Sequence, residues 1–456
     1  MDKLSAANEK RASPRVNISF PFNIPPSFLA QGVDISETGL SFILDKPLLL
    51  SKAKAEVEIA PGKKIETEFK IVWSKQLVES GKFRYGAAFI RFKAKDLDLF
   101  ETLIINRLLE EQGARITDSG LRQRFCSFWQ KDFIQYLRSL REFSETIQPG
   151  EALDEGKVTK LRQLNNQIVV EGEDILTLAG DKILAKHTKE TFRNLGGAWF
   201  YRSEMMHKGF KKIRGYPGDY EMMEFIYNQR SVSADPLGSY FDWYFINNPY
   251  AEAVRGRKDK MVELLRQQIG SSVKKNLAVL NVACGPCREI RELYQGGFKS
   301  KTKVHYVCTD FEEEALRYSK DKLAGVKSDF RFNFLKEDIM NFLRRPGQYA
   351  KRLGKFDLVY SIGLGDYLPD IVVKKLMKFC WGFLRSGATM VFAHKIEDRD
   401  PFAPAAPAWF CDWEFVPRSE KDIDGLIASA GLSNFSIEKD WEKSGRILFV
   451  KITKEK

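Results

Sequence analysis

The sequence of 456 residues predicts a multidomain chain: a short all-β domain, a helical middle segment and a C-terminal α/β domain. Three observations carry this. Short runs of alternating apolar and polar residues dominate the first part of the chain. Helical spacing takes over from Arg122 to about Gln268. Beyond Leu277, buried-type apolar strands end abruptly in glycine or in a carboxylate. A chain of this length also exceeds what one ordinary core holds.

The first strand, from Val16 to Phe22, is followed by alternating segments at Ala55–Ile59, Lys64–Trp73 and Phe83–Phe92, then by an amphipathic helix at Asp96–Glu111. A basic cluster enters the first strand, with Arg11 and Arg15 four apart around Pro14. The planar fork of arginine pairs with phosphate or with a guanine edge, and its face stacks on a purine. Downstream, Gly32-Val-Asp34-Ile-Ser36-Glu-Thr-Gly39 interrupts a strand with a carboxylate, a hydroxyl and a glycine free to take φ > 0. Arg-x-x-x-Arg followed by Asp-x-Ser-x-x-Gly resembles the signature of the PilZ domain, a bacterial receptor for cyclic di-GMP. The resemblance implies a six-stranded barrel closed by a helix. It further implies that Arg11 and Arg15 grip phosphate and stack on guanine, that Asp34 and Ser36 read a guanine edge, and that Gly39 shapes the turn. The polar, glycine-bearing stretch 112–121 places the end of this PilZ-like domain, residues 1–115.

Residues 116–265 read as helical, with Phe128, Phe133, Tyr136, Leu137 and Leu140 on one face. Pro149 and Gly150 break that helix, and further helices are expected over 157–186 and 188–212. Within the segment, Arg214-Gly-Tyr216-Pro-Gly218-Asp-Tyr220 reads either as a lid or acceptor-binding loop, turning at Gly218, or as a helix–helix turn packed on aromatics.

Residues 266–456 form the α/β domain. The strand Leu277–Val282 breaks at Cys284-Gly285-Pro286-Cys287, and the strand from Val304 ends in Asp310. A glycine at such a turn admits a ligand to the backbone, and a carboxylate at the next strand end accepts from ribose hydroxyls. The loop carries Ala283, Gly285 and Cys287 where a dinucleotide fingerprint carries three glycines, which favours a nucleoside without phosphates. Asp338 follows a third strand and Ser361-Ile-Gly363 closes a fourth. This ordered set resembles the class I S-adenosylmethionine-dependent methyltransferases, whose fold is Rossmann-like. The resemblance implies that Ala283, Cys284, Gly285, Cys287 and Ser361 line the cofactor loop. Asp310 would bind ribose, Phe311 would pack on adenine and Asp338 would read its amine. With the Tyr216–Tyr220 segment and Asn248–Arg255, the domain is similar to bacterial proteins that make 3-hydroxypalmitic acid methyl ester. That implies a fatty-acid carboxylate or another small molecule as methyl acceptor.

A carboxylate acceptor is already ionised and needs orienting groups, for which Arg214, Tyr216, Tyr220, Tyr367, His394 and Lys395 are candidates. For an alcohol or amine acceptor, His394 becomes the leading base, since it follows the fifth strand, Ala388–Ala393. The proline-stiffened run from Pro401 to Phe410 either walls an apolar pocket or is a packed connection. The alternative to an enzyme is a cyclic di-GMP effector whose methyltransferase-like domain serves only as a binding module.

Composition narrows the rest. No apolar run approaches the ~18 residues of a membrane span, and the N-terminal residues lack a secretory core, so a cytoplasmic protein is expected. The net charge of +12 is spread along the chain as solvated surface. Six cysteines and four histidines are scattered, and Cys284-x-x-Cys287 has no second pair, so no metal is expected. Asn247-Asn-Pro-Tyr250 approximates a nucleic-acid amino-methyltransferase motif but lacks its second proline and precedes a helix at Tyr250–Gln268, which argues against a nucleic-acid substrate.

Overall fold

The computed structural model describes residues 16–24, 28–36, 39–60, 63–91, 101–102, 105–106, 108–110, 112–148, 150–326, 330–397 and 402–455. It divides into two compact units. The first comprises residues 1–207, 232–244 and 405–412, and the second residues 208–231, 245–404 and 413–456. The helical stretch read from the sequence as 116–265 is thus shared between them.

In the first unit, β1 (Val16–Ile24), β2 (Phe28–Ser36), β3 (Gly39–Leu44), β4 (Lys52–Ala60), β5 (Lys63–Gln76) and β6 (Phe83–Arg91) close an antiparallel barrel in the order β1-β2-β3-β6-β5-β4. Alternation puts Phe22, Phe42, Phe69 and Tyr85 inside, with Phe42 at 5.3 Å from Phe22 and from Tyr85. Gly39 pairs with Ala88, and a Cβ there would stand 2.0 Å from the Ala87 carbonyl oxygen. The glycine is therefore required by the close approach of β6 and does not take the positive φ expected from the sequence. The expected helix at Asp96–Glu111 falls partly outside the described residues.

The same unit holds helices at Ser119–Ser127, Ile134–Glu145, Glu155–Ala179 and Lys182–Phe200. The expected break near 186 lies earlier, where Gly180 takes φ +62° and Asp181 caps the next helix through Ile183 and Leu184. The proline-rich run is a helix, Phe402–Cys411, whose Trp409 ring packs 5.0 Å from Phe192 and against Gly172. Trp409 and Phe410 are therefore packed core of the first unit.

The second unit is built on a seven-stranded sheet: β7 (Asn276–Val282), β8 (Lys303–Asp310), β9 (Phe330–Lys336), β10 (Phe356–Ser361), β11 (Leu384–Lys395), β12 (Phe435–Trp441) and β13 (Ile447–Lys454). The order is β12-β13-β11-β10-β7-β8-β9, with β7 to β11 mutually parallel and β13 antiparallel to β11. The sheet is buried on both faces, which is why its central strands read as continuous apolar runs. Winding reverses beside β7: β8 and β9 lie on one side, β10 and β11 on the other. A crevice beyond the carboxyl ends of the strands at such a reversal is where α/β sheets bind ligands. Among the described residues no helix is long and apolar enough to cross a membrane.

Candidate functional site

A cavity of about 430 Å³ opens at that reversal, entirely within the second unit. Its first wall is the loop after β7. Ala283, Gly285 and Cys287 take φ of 55°, 51° and 48°. The positions where the fingerprint carries glycine are thus the left-handed ones, two of them filled by side chains that adopt this conformation rarely. A Cβ on Gly285 would meet no atom within 4 Å, so its backbone faces open space, and it lines the cavity with Ala283 and Cys284. Cys287 is fully buried beneath the loop and does not line it.

Asp310, at the end of β8, fastens the loop: its carboxylate accepts from the Gly285 N–H at 2.9 Å and from the Glu312 N–H at 3.0 Å. Burial pushes this carboxyl up, against the pull of those backbone donors. Phe311 remains half-exposed at the cavity, its ring 5.3 Å from that of Tyr216. The Tyr216 hydroxyl donates to Glu312 at 2.8 Å, and burial pushes the phenol well up. Burial likewise raises Glu312 to about 7.

The Arg214–Tyr220 segment lines the cavity and joins the helices Glu204–Lys211 and Tyr220–Asn228. Its positive φ is at Gly215, at 89°, and not at Gly218. Gly218 is instead required by space, since a Cβ there would lie 2.9 Å from the Tyr367 hydroxyl and 3.1 Å from Trp413. Arg214 is committed to four carboxylates, Asp219, Glu221, Glu312 and Glu314, and stacks on Tyr220. It has little charge left for a ligand. Tyr220 and Tyr367 both reach the cavity.

Opposite, the ends of β10 and β11 supply a cationic wall that the sequence reading caught only in part. Lys395 lines the cavity from β11, its ammonium 3.3 Å from the centroid of Phe415. Burial lowers it to about 7. Arg257 comes from the helix Pro249–Gly270 and lies beside Gly363 and the Met223 sulfur. One buried carboxylate, Asp366, serves both, 3.8 Å from Arg257 and 3.9 Å from Lys395. The signal for Arg257 was available, because it stands among Ala253, Val254, Met261 and Leu265 on a stripe that otherwise reads as core.

Besides Cys287, three expected site residues are elsewhere. His394 does not line the cavity; its ring packs on Gly365, where a Cβ would be 2.5 Å from Cε1. Neither ring nitrogen has a hydrogen-bond partner, and burial lowers the imidazole to about 4. A strand-end residue alternates in or out of the crevice, and here Lys395 takes the open side. Asp338 is exposed and caps the helix Ile339–Arg344 through the Met340 N–H at 2.8 Å. Ser361 is buried behind the cavity-lining Ile362 and Gly363. Asn248 caps its helix through the Tyr250 N–H, which accounts for the Asn-Pro-Tyr sequence without a nucleobase.

In the barrel, Asp34 is buried and accepts from Ser41 at 2.5 Å and from Arg84 at 2.9 Å. Ser36 pairs with Gly39 in the β2–β3 ladder. Arg11, Arg15 and the side chain of Ser36 lie outside the described residues.

Residues 9–106 match the family model of the PilZ domain. Among curated proteins no sequence matches the chain. Similar solved structures include one titled as a possible exported protein from Bordetella parapertussis, 17% identical with a TM-score of 0.42, over 71% of this chain and 96% of that one. Another is magnesium protoporphyrin IX methyltransferase from Synechocystis with bound SAM, 12% identical with a TM-score of 0.32, over 45% and 83%. A third is the CurJ carbon methyltransferase, 9% identical with a TM-score of 0.38, over 79% and 99%.

Proposed function

We propose that the protein is a cytoplasmic S-adenosylmethionine-dependent methyltransferase acting on a carboxylate-bearing small molecule, with cyclic di-GMP at the N-terminal barrel as its regulatory ligand. The observation that carries the enzymatic half is the cavity at the sheet's winding reversal, where the open Gly285 backbone meets the buried carboxylate of Asp310. The residues fit the cofactor: the loop leaves room beside its backbone, Asp310 presents acceptors for ribose hydroxyls and Phe311 offers an apolar face for adenine. Asp338, occupied as a helix cap, is not part of this reading.

When bound, the cofactor supplies a methyl group on a sulfonium, an electrophile that needs alignment more than acid–base help. The chain's own contribution is then to bind and orient. Two buried cations, Arg257 and Lys395, share one carboxylate, leaving that wall with an excess of positive charge suited to an anionic acceptor. Such an acceptor requires no general base, in keeping with a His394 that is buried away from the cavity. Tyr367, fixed by the Trp413 indole N–H at 3.0 Å, and the ring of Tyr220 cover the acceptor and exclude water. The fatty-acid reading rests on this cationic wall and on the sequence resemblance. The regulatory half rests on the PilZ match and on Arg11, Arg15, Asp34, Ser36 and Gly39 in the order that family carries them.

The test is to incubate the protein with methyl-labelled S-adenosylmethionine and cell extract, with and without cyclic di-GMP, and to fractionate the label. Base-labile label in the organic phase that changes with the dinucleotide is the expected result. Label in protein or nucleic acid would overturn the small-molecule assignment, and no label in any fraction would leave a binding module.

A further inference from the structure

The cavity contains a second carboxylate that neither the sequence motifs nor the acceptor chemistry uses. Glu289 stands in the first turn of the helix Arg288–Gln295, immediately after the glycine loop, and lines the cavity. It is 5% exposed. One of its oxygens accepts from the Asn281 side-chain amide at 3.0 Å and from the Tyr360 hydroxyl at 2.8 Å. Both donors are neutral, and they come from adjacent parallel strands, β7 and β10. Among the described residues no lysine, arginine or histidine pairs with it. The titratable groups that face it are Cys287 in the loop, Tyr306 and Cys308 on β8, Tyr360 on β10 and Tyr227 from the helix Tyr220–Asn228, none of them a cation. A carboxylate withdrawn from water without a counter-ion is costly, and this one is held in a fixed orientation by two donors while facing a ligand cavity. That arrangement is complementary to a cationic ligand group.

We propose that Glu289, oriented by Asn281 and Tyr360, is the anionic anchor for the α-ammonium group of the cofactor's methionine portion. This rests on the cofactor reading above and adds to it a residue outside the loop motif. Asn281 closes β7 with an amide, and the helix supplies the charge across the loop. Burial, with Cys287 adding to it, raises the free carboxyl to about 8. A group that is mostly protonated at pH 7 must lose its proton to solvent when an ammonium binds against it.

The experiment is titration calorimetry of the full chain at pH 7.0 in two buffers of different ionisation enthalpy. The ligands are S-adenosylmethionine and 5′-methylthioadenosine, which lacks the amino-acid portion. The expected result is release of most of one proton, about 0.9 per site, with S-adenosylmethionine and none with methylthioadenosine. The substitution Glu289→Gln is expected to abolish the release and weaken S-adenosylmethionine about ten-fold or more while leaving methylthioadenosine affinity unchanged. Methylthioadenosine binding by the variant shows that its site is folded, and Glu289→Asp, which keeps the charge, is a second variant expected to retain part of the S-adenosylmethionine affinity. A Glu289→Gln variant that binds both ligands with unchanged affinity overturns the role of Glu289 alone. Absence of binding by either ligand overturns the cofactor reading itself.

Discussion

His394 gives the sharpest numerical test, because its burial and its lack of partners make opposite claims from those of a catalytic base. The ring is 1% exposed, and both nitrogens lack hydrogen bonds. Burial lowers its pKa from 6.5 to about 4, with Arg418 adding to this and Asp366 opposing it. The folded state therefore binds fewer protons than the unfolded state between those two values, so this group's contribution to stability is intact above pH 6.5 and is lost as pH falls towards 4. Between pH 7.5 and 5.0 the two pKa values give a loss of about 2 kcal/mol. In His394→Leu that loss disappears, and removal of two unpaired buried nitrogens leaves the variant at least as stable at pH 7.5. A chain of two units need not unfold in one step, so the assay is hydrogen exchange on peptides covering β11 and β13, corrected for intrinsic rates. The pH-dependent change in opening free energy should be smaller in the variant by about 2 kcal/mol, and methyl transfer at pH 7.5 should persist. Equal pH dependence in both proteins would refute the burial argument. A folded variant with kcat reduced about a hundred-fold would restore His394 as a base.

Three further outcomes are expected. Asp310→Ala leaves the Gly285 and Glu312 N–H groups without their acceptor, at about 1–3 kcal/mol each, so S-adenosylmethionine affinity measured by calorimetry should fall at least ten-fold. Lys395, lowered by burial to about 7, loses its charge as pH rises through that value; KM for a carboxylate acceptor should climb above pH 7, and Lys395→Met should show a raised KM with a flat profile. The double substitution Arg11→Ala and Arg15→Ala should abolish cyclic di-GMP binding in equilibrium dialysis while leaving S-adenosylmethionine affinity unchanged; retained dinucleotide binding would discard the assigned arginine roles.

How much of this was legible in the sequence depends on the range of the interaction involved. The five parallel strands of the sheet and most strands of the barrel were readable because period-2 alternation and continuous apolar runs are local consequences of which faces are buried, whereas the antiparallel β12 and β13 went unread. Asp310 was readable because a strand that ends in a carboxylate beside a glycine loop is a local pattern with a topological meaning. The role of His394 was not. One residue's difference in register decides whether a side chain at the end of β11 points into the crevice or onto Gly365, and the antiparallel pairing of His394 with Leu448 that fixes it is 54 residues away. Asp338 was misplaced for a similar reason, since a carboxylate after a strand serves equally as a helix cap, and only the Met340 contact decides between them.

The residues that went unread share a further property: each is a charge on the buried face of a helix. Arg257 lies on the apolar stripe of its helix, and Glu289 lies on the buried face of the helix after the loop, between Arg288 and Ile290. Pattern reading assigns such positions to packing, because an isolated charge does not shift a hydrophobic period. Burial turns that assignment around. A charged side chain is placed in an apolar stripe only when something repays its desolvation. For Arg257 that is Asp366 at 3.8 Å, shared with Lys395. For Glu289 only neutral donors are present, so burial favours the protonated carboxyl and a cationic ligand group is what would hold it ionised. The cavity thus has two sites of opposite preference: the cations Arg257 and Lys395 around Asp366, and beyond β7 a carboxyl that ionises against a cationic group. A zwitterionic cofactor together with an anionic acceptor satisfies both, whereas a neutral ligand engages neither. The same argument orders the experiments, because proton release on cofactor binding reads the negative site without requiring the acceptor to be known.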